Sequence, residues 1–558
     1  MAQKSGTREH WKTRLGVVLA VAGSAVGLGN FLRFPGQVVL NGGGAFMIPY
    51  LISLLLVGIP LATSEWALGR FAGRSGVHSQ MGMFYLASGR KRRWGVVGGL
   101  MAIVPFVISM FYVFIEAWCV LYALQYLGGM FEPVGLGFSF FNNVDPGLHF
   151  DAPVEYTAFF NRMIGKDADG SLFRLSTSPL LLATIFCALG NVLLISRGIV
   201  GGIEKVCKIA APLVLACSLL VVLRVVTLGN PTGIEGRGFL DGLGFMWNPS
   251  RDAFDAKGLV IGRTTLWESL KTPDVWLAAT SQIFFTISLC WCCITTYASY
   301  IRKRDDIALS SLSATSINEF CEVVLGGLMA IPPVVMYLGV NAGGSFNSSY
   351  ALGFAALPNV FGQTPCGQFV GLSFYLLLFT AAITTSVSLL QPTVALIHDA
   401  FGGNKESNAF LVGGVNLIGT LFVCWFTKNL AALEVCDFWI SEVVMFVFAT
   451  LQTFLVAFVW GSSAFRAELE FGSQIRSFRF LPLIVKYISF PYITIIIVFW
   501  FVKNLGARLH EIQEDAVTRY AFILFGVIAA TLFILSIVVT TRWKRGETSA
   551  RDASKSDS

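Results

Sequence analysis

Residues 14–38 read RLGVVLAVAGSAVGLGNFLRFPGQV. The stretch is long and apolar enough for a bilayer-spanning helix, which takes about 20 such residues. Its middle nevertheless carries Gly23, Ser24, Gly27, Gly29 and Asn30 within eight residues. Small residues let helices approach closely, and Gly23 and Gly27 at i, i+4 suit that use. Asn30 and Arg33 are different, because polar groups at membrane depth are costly and mark function. Eleven further apolar stretches follow, near 43–70, 94–126, 178–196, 201–228, 275–302, 307–340, 367–397, 408–427, 437–462, 482–503 and 520–541. One of them, 275–302, is interrupted like the first, by Gln282, Thr286, Ser288, Cys290, Cys292, Cys293, Thr295 and Thr296. Each interrupted stretch opens a set of five. Matched interruptions in two halves point to a transporter site on an inverted repeat with broken helices.

The composition agrees. Of 558 residues, 55% are apolar and only 13% charged, half the share of a soluble domain. The apolar runs are too long for barrel strands, and helices satisfy their own backbone in lipid. The expected fold is an all-α polytopic membrane protein of about twelve spans. The net charge of +7 is placed for topology rather than for nucleic acid. Lys4, Arg8, Lys12 and Arg14, then Arg70, Arg74 and Arg90–Arg93, Arg197 and Lys205, Arg302–Arg304, and Arg542–Arg545 all fall on one side if spans alternate. By the positive-inside rule that side is cytoplasmic, with both termini. The first run is too long, and too broken by Arg33, for a signal peptide.

The expected organisation is a cytoplasmic segment 1–13, a first five-helix repeat 14–228, an outer connection 229–274, a second repeat 275–462, two peripheral helices 463–541 and a cytoplasmic tail 542–558. The other outer connection, 127–177, is expected to fold over the mouth. Cysteines lie mainly inside apolar stretches, which suits small buried hydrophobes better than disulfides. No CxxC, HExxH or P-loop spacing occurs, so an enzyme is not indicated. A channel would show a filter loop or a ring of like residues.

The ordered set REHW (Arg8–Trp11), GSAVGLGNFLRFP (Gly23–Pro35), NGGGAFMIPY (Asn41–Tyr50), YVFIEAW (Tyr112–Trp118), QIFFTISL (Gln282–Leu289), TYASY (Thr296–Tyr300), SINE (Ser316–Glu319), TAAITTSVSLLQP (Thr380–Pro392) and DFW (Asp437–Trp439) resembles the neurotransmitter:sodium symporter family, and within it the bacterial leucine transporters. The resemblance covers nearly all twelve spans. It implies sodium-coupled uptake of an amino acid by alternating access, with the chain in the plasma membrane, as a bacterial inner-membrane protein. One sodium would take the Ala25 carbonyl, Asn30, Thr286, Asn318 and the substrate carboxylate. A second would take carbonyls of Gly23, Val26 and Ala381 with the hydroxyls of Thr384 and Thr385. Oxygen donors of this kind suit a hard cation. The substrate carboxylate would meet the N–H groups of Leu28 and Gly29, at a helix end whose dipole favours an anion, and the Tyr112 hydroxyl. The amino group would face carbonyls of Ala25, Phe285 and Thr286 near Ser288. Arg33 and Asp437 would form an outer gate over a lid of Tyr112 and Phe285. Arg8 and Asp399, with Trp11 and Tyr300, would close the inner side. Ordinary interface charge is the alternative for Arg8 and Asp399. Glu65 and Glu116 are read as structural, paired to helix-end backbone groups.

Gly27 bears on specificity. Monoamine carriers of the family have Asp there, so Gly implies a substrate that brings its own carboxylate. The remaining expected pocket (Ser24, Ile108, Ser288, Trp291, Thr385, Leu389) holds no charge, and a charged side chain would go unpaired. Trp291 and Ile108 are bulkier than the family's usual residues, which favours a small neutral amino acid. A larger hydrophobic or aromatic substrate, or a transport-inactive sensor, are the alternatives. Cys290 and Cys292 stand where relatives carry glycines, so the sixth-span break is expected to be shorter or differently shaped. Glu322 lies one turn after Asn318, where chloride-dependent members have Ser. Its carboxylate would replace chloride beside Tyr50 and Gln282, so no chloride is expected.

Overall fold

A computed structural model describes residues 11, 14–141, 144–145, 147–150, 152–174, 178–254, 260–339, 348–474 and 479–545. Arg8 and nearly all of the two terminal segments lie outside the described residues. Helices dominate, and the exception is a two-stranded antiparallel hairpin, Arg251–Phe254 with Val260–Thr264, in the connection before span 6. Among the described residues, ten helices are long and apolar enough to cross a membrane. An eleventh span is the pair Gly16–Ala25 and Gly29–Leu40, bent by 44°. The remaining expected span, the sixth, is two pieces, Pro273–Thr286 and Cys293–Ala298, each too short alone.

The other spans, in chain order, are Gly44–Gly73 (span 2), Arg92–Val134 (3), Pro179–Ser196 (4), Gly201–Val226 (5), Ile307–Leu338 (7), Gly367–Phe401 (8), Lys405–Trp425 (9), Lys428–Glu470 (10), Leu481–Glu514 (11) and Ala516–Lys544 (12). The packing follows the repeat. Span 1 contacts both halves of span 6, span 2 contacts span 7, span 3 contacts span 8 and span 4 contacts span 9. An inverted repeat brings equivalent helices together in this way around its pseudo-two-fold axis. Close approach is bought with glycine. A Cβ on Gly69 or Gly73 of span 2 would run into the carbonyls of Thr295 and Ser299 in and just after the second half of span 6. A Cβ on Gly326 of span 7 would strike the Asn30 carbonyl. Small residues at such crossings are how membrane helices pack without a hydrophobic drive.

Spans 11 and 12 stand at the margin, and their outward sides are apolar, with Val502 83% and Ile534 61% exposed. The connection 127–177 contributes the helix Pro153–Met163 and folds across one end of the bundle. Its Gly170 N–H donates to the Trp425 carbonyl at 2.7 Å, and its Gly165 carbonyl accepts from Thr427 Oγ1 at 2.8 Å.

Candidate ion and substrate site

The two breaks face each other, with span 1 packed against both halves of span 6. In span 1 the α-helix stops at Ala25 and resumes as a π-helical turn, Gly29–Arg33. In span 6 the irregular backbone runs over residues 287–292. Ser288, Cys290 and Cys292 all have positive φ, at 56°, 60° and 59°. The left-handed conformation costs an L-residue about 1–2 kcal/mol. The break thus runs through two cysteines and a serine held in left-handed backbone. It is held open by Glu65 of span 2, whose Oε1 accepts from the Cys290 N–H at 2.8 Å and from Gln452 Nε2 at 2.7 Å. Gln452 accepts in turn from Gln80, and Gln80 from the Thr295 hydroxyl.

Between the breaks lies a buried polar cluster. Asn30 Oδ1 accepts from the Gly27 N–H at 2.8 Å, which closes the break in span 1. Asn30 Nδ2 donates to Asn318 Oδ1 at 2.9 Å and to Thr286 Oγ1 at 3.2 Å. Asn318 Nδ2 donates to Thr286 Oγ1 at 3.0 Å. The Thr286 hydroxyl donates to Glu322 Oε2, and Gln282 Nε2 donates to Glu322 Oε1 at 2.7 Å. Asn30, Thr286, Asn318, Gln282 and Glu322 are all fully buried. The structure thus brings together the side chains expected around one cation, and their oxygens are the donors a hard ion needs. Both groups expected beside Glu322, Gln282 and Tyr50, reach it. Tyr50 reaches both carboxylates of the cluster, touching Glu322 and donating to Glu319 Oε2 at 2.7 Å. Glu319 is a second carboxylate at this site that the sequence reading did not single out.

Of the second expected cation set, Gly23, Ala381, Thr384 and Thr385 come together. Thr384 Oγ1 donates to the Ala381 carbonyl at 2.9 Å, and Thr385 Oγ1 donates to the carbonyls of Ser24 and Ala381 at 3.1 and 3.2 Å. Gly23 faces this pair, since a Cβ there would lie 3.9 Å from Thr384 Cβ. Adjacent hydroxyls on one helix commonly bond only to the preceding turn. Here Thr385 also reaches across to span 1, beside Ala25 and Val26.

Two of the expected pocket residues, Tyr112 and Thr385, stand directly against Gly27. A Cβ on Gly27 would sit 2.6 Å from both the Tyr112 oxygen and Thr385 Oγ1. Tyr112 accepts from the Leu28 N–H at 3.0 Å, and Ser288 Oγ donates to the Ser24 carbonyl at 3.3 Å. Phe285 closes on Gly29, with its ring 3.0 Å from where a Cβ would stand. Trp291 meets Phe285 edge-on at 5.0 Å. Ile108, Leu389 and Trp291 are buried.

Above this lid a cavity of about 270 Å³ is lined by Arg33, Gln37, Tyr112, Phe285, Asp437 and Glu442, among others. The Arg33 guanidinium lies 4.6 Å from the Phe285 ring centre. Its ion pair corrects the expectation. Arg33 binds Glu442 Oε1 at 3.0 Å, not Asp437. Residues 437–444 are π-helical, and a π-helix bonds i to i+5. Asp437 and Glu442, five apart, therefore share a face, and the longer side chain takes the arginine.

At the opposite, basic end, Trp11 seals the second half of span 6. Its indole N–H donates to the Tyr297 carbonyl at 3.1 Å and its backbone N–H to the Tyr300 carbonyl at 3.4 Å. His78 stacks on Tyr300 at 3.9 Å. Asp399 accepts from the backbone N–H groups of His78 and Ser79 at 3.0 and 2.8 Å, at the start of the helix Gln80–Ala87. Its expected partner Arg8 is outside the described residues. Glu116, expected at a helix-end backbone, instead accepts from the side chains of Asn191 and Ser386.

A family model for the sodium:neurotransmitter symporter family matches residues 8–131 and 253–545. The chain is similar to an uncharacterized sodium-dependent transporter of Methanocaldococcus jannaschii, 28% identical over 95% of this chain and 97% of that one. It is also similar to the human sodium- and chloride-dependent GABA transporter 2, 24% identical over 84% of this chain and 76% of that one. The crystal structure of MhsT in complex with L-phenylalanine superposes with a TM-score of 0.71, at 27% identity, covering 88% of this chain and 99% of MhsT. This chain is a multi-pass membrane protein that belongs to the sodium:neurotransmitter symporter family.

Proposed function

We propose that the chain couples sodium entry to uptake of a small neutral amino acid by alternating access, without chloride, with both termini in the cytoplasm of a bacterial cell. The observation that carries this reading is the convergence of Asn30, Thr286, Asn318 and Glu322 between two helix breaks. A sodium ion there would supply positive charge to offset the Glu322 carboxylate and to draw in the substrate carboxylate. The residues for the second sodium would be Gly23, Val26, Ala381, Thr384 and Thr385. The substrate carboxylate would replace the Tyr112 oxygen at the Leu28 N–H and extend to Gly29, while Tyr112 donates its own proton to it. Access from the cavity side would require Phe285 and Arg33 to move. Release to the basic side would require Trp11 to leave Tyr297 and Tyr300.

Small size is supported by the walls. Trp291 packs on Phe285, and the residues expected to complete the pocket, Ser24, Ile108, Ser288, Thr385 and Leu389, carry no charge. A larger aromatic substrate is the second reading, because MhsT holds L-phenylalanine. Reconstituted vesicles with an inward sodium gradient should accumulate alanine, glycine or serine, and chloride replacement by gluconate should not reduce the rate. Sodium-independent accumulation would refute the coupling, and phenylalanine outcompeting alanine would select the second reading.

A further inference from the structure

We propose that the groove between the outer half of span 6 and span 11 is a binding site for one anionic glycerophospholipid. The groove has a volume of about 260 Å³, lies on the bundle's apolar perimeter and shares no lining residue with the ion and gate sites described above. Its wall on span 11 is a single stripe, in which Ile495 and Ile496, then Phe499 and Trp500, then Lys503 and Asn504 follow at helical spacing. The stripe runs from aliphatic through aromatic to charged over eight residues, about 12 Å at the helical rise. The facing wall repeats the order, with Leu277 deep, Trp276 and Leu270 intermediate, and Asp274 and Lys271 at the mouth. That is the polarity profile of half a bilayer, with aromatic residues at the interface.

The surroundings and the charge select the occupant. Ile495, Val498, Phe499 and Val502 are 67%, 54%, 50% and 83% exposed, so this side of span 11 faces hydrocarbon. An acyl chain is the apolar group available there. At the mouth, Lys503 pairs with Asp274 at 3.0 Å. Lys271 is exposed two residues before Pro273, where Asp274's helix starts, and gives the residues lining the mouth one net positive charge. A lipid phosphate is the complementary group. Trp276 is held by its N–H on the Leu270 carbonyl at 2.9 Å, so the turn carrying Lys271 is tied to the groove wall. Because Pro273–Thr286 also carries Phe285 and Thr286, the lipid would brace the half-helix that bears the lid.

The test is native mass spectrometry of the detergent-purified full chain with dioleoyl phosphatidylglycerol or dioleoyl phosphatidylcholine. The expected result is one retained phosphatidylglycerol per chain, in preference to phosphatidylcholine. Lys271→Glu and Lys503→Glu should each cut its retention about fivefold or more, the effect of one basic group on an anionic lipid. Lys91→Glu, on the basic face, should leave it unchanged. Leu277→Trp, which fills the groove without changing charge, should abolish the adduct. All variants should keep sodium-dependent thermal stabilisation as a check of folding. Equal retention of the two lipids, or an adduct that survives both Leu277→Trp and the lysine reversals, would overturn the proposal.

Discussion

The carboxylate of Glu322 provides the sharpest test of how the central site works. It accepts from the Thr286 hydroxyl and from Gln282 at 2.7 Å, with Asn30 Nδ2 at 3.4 Å. An ion using the Thr286 and Asn318 oxygens would therefore lie within one ligand of a full negative charge. Two unit charges about 4 to 6 Å apart interact by roughly 3 to 4 kcal/mol at an effective dielectric near 20. Glu322→Gln removes that charge while keeping an oxygen to accept from Gln282 or Thr286, so the change in hydrogen bonding is smaller, about 1 kcal/mol. The half-saturating sodium concentration for substrate binding should then rise by roughly 100-fold or more, at about 1.4 kcal/mol per decade.

The assay is binding of a radiolabelled amino acid to purified protein, titrated with sodium in gluconate and again in chloride. Wild type should give the same curve in both salts. Glu322→Gln should be shifted in both, because the amide fills the space an anion would need. Glu322→Ser should be shifted in gluconate and restored by chloride, since the shorter side chain leaves room for the ion beside Tyr50 and Gln282. An unchanged sodium requirement in Glu322→Gln, or a wild-type protein that loses binding in gluconate, would refute the reasoning. Glu319, bonded to Tyr50, supplies an internal control. Glu319→Gln should shift the curve less than Glu322→Gln, because it does not touch Thr286.

Gly27→Ala forces a Cβ to within 2.6 Å of Tyr112 and Thr385, and overpacking of this kind costs about 1 to 3 kcal/mol. Amino-acid affinity should fall by roughly 5- to 150-fold on that scale, and wild-type affinity in a competition assay would mean Gly27 does not border the substrate. In double-mutant cycles on substrate dissociation, Arg33→Ala and Glu442→Gln should couple by about 1 kcal/mol, whereas Arg33→Ala and Asp437→Asn should add within roughly 0.5 kcal/mol. The reverse pattern would restore Asp437 as the gate partner. Trp291→Phe should shift preference toward leucine or methionine, and an unchanged competition profile would remove Trp291 from the pocket wall. Trp11→Ala should speed thiol labelling of Cys207, which lies 3.4 Å from a Cβ placed on Gly23. Wild-type labelling would show that Trp11 does not seal the basic face.

What the sequence could reveal follows from how each feature is encoded. Apolar runs of about 20 residues are explicit in composition, and so are polar interruptions, because lipid gives them no other use. The spans and both broken helices were legible for that reason, whereas the Asn30–Thr286–Asn318 set was legible only through the family resemblance. Partners that depend on helix pitch were not. A wheel of 3.6 residues per turn separates Asp437 from Glu442, and only the π-helical turn over residues 437–444 places them together.

The break in span 6 shows the limit from the other direction. Glycine makes left-handed backbone easy, so cysteines at positions 290 and 292 argued for a different break. The backbone is left-handed there all the same. The reason is tertiary. Glu65 captures the Cys290 N–H, and Gln452, Gln80 and Thr295 hold Glu65 in a chain of hydrogen bonds drawn from three spans and the helix Gln80–Ala87. A buried N–H without a partner costs about 1 to 3 kcal/mol, comparable to the strain at one left-handed residue. A carboxylate at Glu65 that satisfies the unwound backbone can thus sustain a conformation that the local residues resist.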